Sequence, residues 1–136
     1  MILLLDTNVL SKIISGKPPG YRREVEESRK RSEKQFTSVI VVHELLYGVA
    51  RSLNPDKALD RVTVTLSGLS GIADFTPRDA EIAASLRATL SGRGELIGPY
   101  DLFIAAQALR LEAVLVTNNT REYKRVPGLE VVDWNI

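Results

Sequence analysis

The sequence predicts an α/β fold in which a parallel sheet carries helices on both faces. Two apolar stretches, Ile2–Leu5 and Ala113–Val116, are typical of strands that are buried on both sides. Along the rest of the chain, short strand-like segments alternate with segments whose apolar residues recur at helical spacing. Such alternation is characteristic of strand–helix–strand units with parallel strands. No repeat or linker interrupts it, so we expect residues 1–136 to form one domain.

The first strand is followed directly by a carboxylate, Asp6. Thr7 or Asn8 can cap a helix that begins with Val9 and Leu10. Asp6 itself has two interpretations at this point. It is either a simple helix cap or a ligand-binding group at the carboxyl end of a strand, where open α/β sheets bind their ligands.

Five further helices are predicted between the two buried strands. The segment Tyr21–Lys34 is dense in charge and is expected to be a largely solvated helix. Ser38, Asn54 and Thr76 are expected to cap the next three helices, and Pro99 falls in the first turn of the last. Short strands are expected at Phe36–Thr37, Ile72–Phe75 and Leu129–Val132, and a short helix is expected to start with Arg121, Glu122 and Tyr123.

Composition excludes several kinds of site. The chain has no cysteine and a single histidine, which argues against disulfides, a zinc site and a Ser-His-Asp triad. No glycine loop of the phosphate-binding type is present. The chain has no apolar run of membrane-spanning length and no secretory signal, so we expect a cytoplasmic protein without a membrane partner.

Four acidic residues adjoin strongly apolar or small-residue stretches near the ends of elements: Asp6, Glu44, Asp101 and Glu122. Asn118 and Asn119 add amide oxygens. An all-oxygen set of this kind suits Mg²⁺ or Mn²⁺, which polarise phosphodiesters and activate water. With four of the 17 acids in one pocket, the rest of the chain would carry 18 basic residues against 13 acidic ones, which suits a polyanionic substrate. Spacing makes this convergence feasible without establishing it, and Asp101 could instead be only a first-turn acid.

Four stretches carry a family pattern: LLLDTNVL, SVIVVHELLYGV, IGPYDLFIAAQAL and LVTNNTREYKRVPGL. Together they resemble the PIN-domain ribonucleases and, more narrowly, the VapC toxins of bacterial type II toxin–antitoxin modules. They occur in the family's order and cover nearly the whole chain. The resemblance implies a single PIN-like domain with a central twisted parallel sheet of four to five strands.

The resemblance also implies a metal-dependent endoribonuclease. Asp6, Glu44 and Asp101 match the family's three acids that hold Mg²⁺ or Mn²⁺. Many members carry a fourth Asp where this chain has Asn119, and Glu122 looks like the replacement acid. The supporting residues that match family positions beside the first and last acids are Thr7, Asn8, Thr117 and Asn118.

Partners follow from the same resemblance. The family implies a homodimer, a cognate VapB-type antitoxin whose C-terminal segment enters the acidic pocket, and RNA as substrate. The subgroup suggests cleavage of a tRNA anticodon stem-loop, which would inhibit translation. Arg87, Arg110 and Arg121 are candidate RNA or dimer contacts, although each could equally be a surface or packing arginine.

Two other functions remain open at this level. A phosphoryl-transfer domain with Asp6 as phosphoacceptor would want an acid at position 8 in the haloacid-dehalogenase type, or paired acids and a lysine in the receiver type, and the chain has neither. A PIN-like module that only binds RNA or a protein partner is the second alternative, which Asn119 keeps open.

Overall fold

Five strands form the sheet of the computed structural model, which describes residues 1–136. They are β1 (Ile2–Leu5), β2 (Lys34–Ser38), β3 (Gly71–Ala73), β4 (Val114–Val116) and β5 (Glu130–Val132). All neighbouring pairs are parallel, and the strand order is β3-β2-β1-β4-β5. The predicted parallel sheet is thereby confirmed, with β1 at its centre.

Seven helices connect the strands: α1 (Thr7–Ser15), α2 (Gly20–Lys30), α3 (Val39–Ala50), α4 (Pro55–Ser67), α5 (Pro77–Gly92), α6 (Pro99–Leu111) and α7 (Thr120–Tyr123). Right-handed crossovers place α1 to α4 on one face of the sheet and α5 to α7 on the other. The packing of α4 on α1 and α3, and of α6 on α5, agrees with this division. None of the helices combines the length and apolar character that a bilayer crossing requires.

The predicted caps of the middle helices are confirmed. The Ser38 side chain accepts a hydrogen bond from Ile40 N, and Asn54 accepts one from Lys57 N. Thr76 opens α5 with a full capping box. Local sequence therefore determines where these helices begin.

Three local predictions are wrong. The helix expected over Tyr21–Lys34 ends at Lys30, and Lys34 is instead the first residue of β2. Helix α1 begins at Thr7 and is capped by Asp6, whose side chain accepts from Thr7 N at 2.8 Å, so neither Thr7 nor Asn8 is the cap. The third strand ends at Ala73 rather than Phe75. Its pairing with β2 stops at Ser38, and the Phe75 ring instead packs edge-on against Phe103, with centroids 5.0 Å apart.

The core is one contiguous cluster of apolar side chains around β1 and β4. Leu4, Leu5 and Leu115 are completely buried, as expected for central strands covered on both faces. Helix α6 contributes alanines, and Ala105 and Ala108 are also fully buried, which lets this helix pack closely. The core therefore holds β1, β4 and α6 together as one rigid unit.

Strand register brings three polar residues to one edge of the sheet. Leu5 pairs with Thr37 on one side and Val116 on the other, so Asp6, Ser38 and Thr117 emerge side by side at the carboxyl edge. The chain leaves β1 toward β2 and later returns to β1's other side through β4. The crevice between β1 and β4 is therefore the topological switch point, where α/β sheets bind ligands.

Candidate active site

Asp6 lies at the switch point and is 5% exposed. Its Oδ1 accepts the hydrogen bond from Thr7 N, and its Oδ2 accepts one from the Thr117 hydroxyl at 2.8 Å. Burial raises the pKa of Asp6, and these two hydrogen bonds act in the opposite direction. The two interpretations of Asp6 are thus compatible, because one oxygen caps α1 while the other faces the end of β4.

Glu44 reaches the same edge from α3. Its Oε1 accepts a hydrogen bond from the Thr7 hydroxyl at 3.0 Å, so Thr7 links the first acid to the second. The first turn of α3 is anchored by the Ser38 hydroxyl, which donates to Gln107 Oε1. Gln107 is completely buried on α6 and also donates to the backbone oxygens of Ala73 and Asp74. This buried amide connects the helix that carries Glu44 to the helix that carries Asp101.

Asp101 enters the site from the first turn of α6. Its Oδ1 accepts a hydrogen bond from the Tyr123 hydroxyl at 3.0 Å. Burial raises the pKa of Asp101 to about 6, against the lowering effect of this hydrogen bond, and repulsion from the negative charges of Asp6, Glu122 and Glu44 adds to the rise. The repulsion indicates that Asp6, Glu44 and Glu122 all lie near the Asp101 carboxylate.

Glu122 completes the group from α7. Its Oε2 accepts a hydrogen bond from Asn119 Nδ2 at 2.6 Å, and Asn119 N donates to the Thr117 hydroxyl. Asn119 thus supports Glu122, the residue that the family resemblance implies as the replacement acid. The structure brings together Asp6, Glu44, Asp101 and Glu122 through neutral donors from the chain.

The acidic group has no cationic partner within the chain. Every ion pair of the structure lies elsewhere, and none involves any of the four acids. Partly buried carboxylates without a counter-charge favour a bound cation, because repulsion and desolvation are both relieved by it. All four side chains offer oxygen, the donor that hard divalent ions prefer.

The acids do not form a ready-made ligand cluster in this arrangement, since no three acidic side chains meet at the spacing that one ion requires. Each carboxylate instead turns toward its own neutral donor: Thr117, Thr7, Tyr123 or Asn119. The chemistry of the set, four carboxylates with neutral hydrogen-bond donors, nevertheless fits a divalent ion.

Asn8 and Asn118 lie beside the acids, facing an adjoining recess. Asn8 is exposed on α1, and both residues line a polar hollow next to that helix. The Asn118 amide oxygen accepts from Lys12 at 2.7 Å, and its nitrogen donates to Tyr21 and Asp133. Asn118 is therefore not among the donors turned toward the acidic group.

The three arginines have different surroundings. Arg110 pairs with the fully buried Asp79, with 2.6 Å between Nε and Oδ1, and so has a structural role. Arg87 is exposed at a groove lined mostly by apolar side chains between α5 and α6. Arg121 is exposed on α7, one residue before Glu122. Of the three, Arg121 is next in sequence to a residue of the acidic group.

Sequence reasoning missed Tyr123 and Lys12. Tyr123 was expected only to lie at the start of a short helix, yet it is fully buried with its hydroxyl on Asp101. Burial strongly raises the pKa of Tyr123, with the charges of Asp6 and Asp101 adding to it, so the phenol stays a neutral donor. Its position directly after Glu122 was the one sequence signal available, and no signal indicated Lys12.

The sequence matches known proteins over nearly its full length. The PIN domain family matches residues 3–129. The chain is 35% identical over 135 residues to ribonuclease VapC2 of Rickettsia felis, covering 99% of each chain. It is 36% identical over 131 residues to the tRNA(fMet)-specific endonuclease VapC of Salmonella typhimurium, covering 96% of each. These relatives are nucleases by name, which favours the catalytic interpretation over a module that only binds.

Solved structures agree with this assignment. The chain superimposes with a TM-score of 0.93 on the Rickettsia felis VapBC2 complex bound to a promoter DNA fragment, at 36% identity and covering 99% of this chain and all of that one. For DNA-bound VapBC from Salmonella typhimurium the TM-score is 0.90 at 34% identity, covering 98% of each chain. The predicted PIN-like fold is confirmed, and the chain belongs to the VapC ribonucleases of the PIN-domain family.

Proposed function

We propose that this chain is the toxin of a VapBC-type module and cleaves RNA with Mg²⁺ or Mn²⁺ held by Asp6, Glu44 and Asp101. The observation that carries the proposal is the set of carboxylates at the switch point, where burial and the negative charges of Asp6, Glu122 and Glu44 raise the pKa of Asp101 and no ion pair of the chain involves any of the four acids. An ion bound there would polarise a phosphodiester, activate water for its hydrolysis and stabilise the leaving oxygen.

The chain's own residues have distinct tasks in this scheme. Thr117 and Thr7 orient Asp6 and Glu44 through their hydroxyls, and Asn119 orients Glu122. Glu122 is the fourth acid and supplies charge beside the three proposed ligands. Because each orienting group is neutral, it holds a carboxylate in place without competing with a cation for its charge.

We propose tRNA as the substrate class, cut in the anticodon stem-loop so that translation stops. The support is the similarity to the Salmonella typhimurium enzyme, which is named a tRNA(fMet)-specific endonuclease. A tRNA substrate also implies action in the cytoplasm. Arg121, exposed beside Glu122, is located to contact the RNA backbone, and we assign the same role to Arg87, which is exposed on α5.

Control by an antitoxin and assembly into a homodimer complete the proposal. The similar solved structures are VapBC complexes, which supports a VapB-type partner for this chain. An arginine from that partner's C-terminal segment would pair with the acidic group by charge-assisted hydrogen bonds and take the place of the cation. Size-exclusion chromatography with light scattering tests the homodimer directly.

The decisive experiment compares Asp101→Asn with Asp56→Asn. Both residues are acids in the first turn of a helix, but Asp56 is exposed on α4 and has no ion-pair partner. We expect Asp101→Asn to lower tRNA cleavage at least about 100-fold, because a proposed metal ligand is lost, and Asp56→Asn to leave it unchanged.

Cleavage is followed with Mg²⁺, with Mn²⁺ and with chelator, and calorimetry measures metal binding by the same proteins. Full cleavage by Asp101→Asn, or cleavage that persists in chelator, would refute the assignment. Metal binding without cleavage of any tRNA would point to a different RNA substrate and would remove tRNA from the proposal.

A further inference from the structure

A polar recess of about 560 Å³ lies beside the acidic group, along the outer side of α1. It is lined by Asn8, Ser11, Lys12, Ser15 and Asn118, with neither an acidic nor an apolar side chain among them. All five side chains can donate hydrogen bonds. The lining is therefore opposite in character to the neighbouring cluster of carboxylates.

Lys12 supplies the positive charge of this recess. Its Nζ donates to Asn118 Oδ1 at 2.7 Å and to the Tyr21 hydroxyl at 3.4 Å, and it lies 5.0 Å from the centre of the Tyr21 ring. No ion pair of the structure includes Lys12. The ammonium is thus held in place by neutral groups, and one of its three N–H groups is left for a ligand.

The groups that hold Lys12 are themselves fixed. Tyr21 is 2% exposed and packs against Trp134, and its hydroxyl also accepts from Asn118 Nδ2 at 2.9 Å. Asn118 is further restrained by the hydrogen bond from its nitrogen to Asp133. A flexible lysine side chain normally loses conformational entropy when it binds a ligand. Because Lys12 is already ordered in the folded protein, binding to it costs less entropy.

Two residues of the recess, Asn8 and Asn118, directly follow residues that hold the acidic group. Asn8 is next to Thr7, whose hydroxyl bonds Glu44, and Asn118 is next to Thr117, whose hydroxyl bonds Asp6. An anion in the recess would therefore be a close neighbour of whatever the acids hold through a cation. In a polynucleotide, the neighbour of one backbone phosphate is the next backbone phosphate.

We propose that Lys12 and the recess around it bind a backbone phosphate of the RNA adjacent to the one that is cleaved. The inference rests on the proposed nuclease function and adds to it a site that positions the strand. An acidic segment of a protein partner has the same charge, but RNA with its regular phosphate spacing can place one phosphate in this recess and the next at the acidic site. Lys12 is accordingly a substrate-positioning residue rather than a metal ligand.

The test measures RNA binding in chelator, where no cleavage occurs. A fluorescently labelled RNA stem-loop is titrated at several salt concentrations with the unaltered protein, Lys12→Met, Lys12→Arg and Lys30→Met. Lys30 is the matched control, because it is exposed at the end of α2 that leads into β2, at the opposite edge of the sheet. The slope of log K against log salt counts the phosphates that are neutralised.

We expect Lys12→Met to reduce that slope by about 0.7–0.9, the value of one phosphate contact, and Lys30→Met to leave it unchanged. Lys12→Arg keeps the charge and is expected to keep the slope. Thermal unfolding of each variant shows whether the fold is retained. If Lys12→Arg keeps the slope while Lys12→Met lowers it, the effect is due to the lost charge and not to a damaged fold.

An unchanged slope in Lys12→Met overturns the inference, and so does the absence of RNA binding by the unaltered protein. If the slope changes as expected but the unaltered protein with metal cuts no RNA, the nuclease proposal fails while the phosphate site stands. If RNA is cut but the slope does not change, only the phosphate-site inference fails. Lys12 would then bind an acidic protein partner or serve only to hold Asn118 in place.

Discussion

Replacement of Asp101 by asparagine is expected to stabilise the metal-free protein at neutral pH while it abolishes function. The pKa of Asp101 rises from 3.8 to about 6 in the folded state, a shift of about two units. Each unit corresponds to about 1.4 kcal/mol, and partial exposure of Asp101 reduces the effect by about half, to roughly 1–2 kcal/mol. Asparagine has almost the same shape, and its oxygen can still accept the Tyr123 hydrogen bond.

The sign of the pH dependence follows from the direction of the shift. Below about pH 3.8 Asp101 is protonated in both states, so its ionisation does not affect stability. Between about pH 3.8 and 6 the folded state binds more protons than the unfolded state, and the free energy of unfolding falls as pH rises. Asparagine cannot ionise, so the advantage of the variant should grow over this range and be complete by pH 8.

Urea unfolding in chelator at pH 4.5 and pH 8 measures this advantage. Asp56→Asn is the control and should be neutral or slightly destabilised at both pH values, because a first-turn acid favours its helix by about 0.3–1 kcal/mol. With Mg²⁺ at ten times its dissociation constant, the unaltered protein should recover about 1.4 kcal/mol and the variant nothing. A variant that is less stable than the unaltered protein at pH 8 in chelator would refute the reasoning.

Two further substitutions test the supports of the site and the fold. Tyr123→Phe keeps the ring and removes the hydroxyl that holds Asp101, so Mn²⁺ affinity measured by calorimetry should fall roughly tenfold with little change in Tm, and unaltered affinity would contradict a positioning role. Asp79→Asn removes the charge that pairs with Arg110, which should lower the free energy of unfolding by roughly 1–3 kcal/mol at pH 7. Burial acts to raise the pKa of Asp79, but the hydrogen bonds from Arg110 and Thr76 outweigh it, so the net pKa is lowered. The charge of Asp79 therefore stabilises the fold above about pH 3.8, and this contribution is lost as pH falls through the lower pKa of the folded state. We expect urea unfolding to show a smaller loss of stability in Asp79→Asn at pH 3 than at pH 7. An equal loss at the two pH values would contradict this account.

We expect the metal-free site to have low stability, because its carboxylates lie near one another without a counter-ion. Residues that perform chemistry are held where they are unfavourable for folding, and the rest of the chain compensates. Here the compensation lies in the buried strands and in the alanine-rich packing of α6. Removal of metal should therefore loosen the edge of the sheet before it affects the core.

Local order was predictable because its causes lie within a few residues. The apolar run before Asp6, the caps at Ser38, Asn54 and Thr76, and the proline at the start of α6 each act over one turn or one strand. Periodicity also predicted the alternation of strands and helices, and with it the parallel sheet. The cap of α1 was mispredicted because Asp6 performs two tasks, and a single position gives no sign of the second.

The sequence motifs indicated the four candidate acids, but they did not indicate the hydrogen-bond partner of each acid. Asp6 meets Thr117 across 111 positions, Thr7 meets Glu44 across 37, and both contacts depend on strand order and register. Tyr123 reaches Asp101 only because the first turn of α6 and helix α7 lie at the same edge of the sheet. Such pairs have no periodicity that a sequence could show.

By itself, the sequence determined the class of fold and the position of most elements, and it supplied the four acids that we propose for the site, since propensity, capping and motif are local properties. The tertiary structure alone decided which neutral group supports each acid and that no cation of the chain neutralises them. It also decided that Lys12, 106 positions from Asn118, is held beside the acidic group. The physical reason is that burial, charge repulsion and hydrogen bonding depend on distance in space, which only the packed sheet defines.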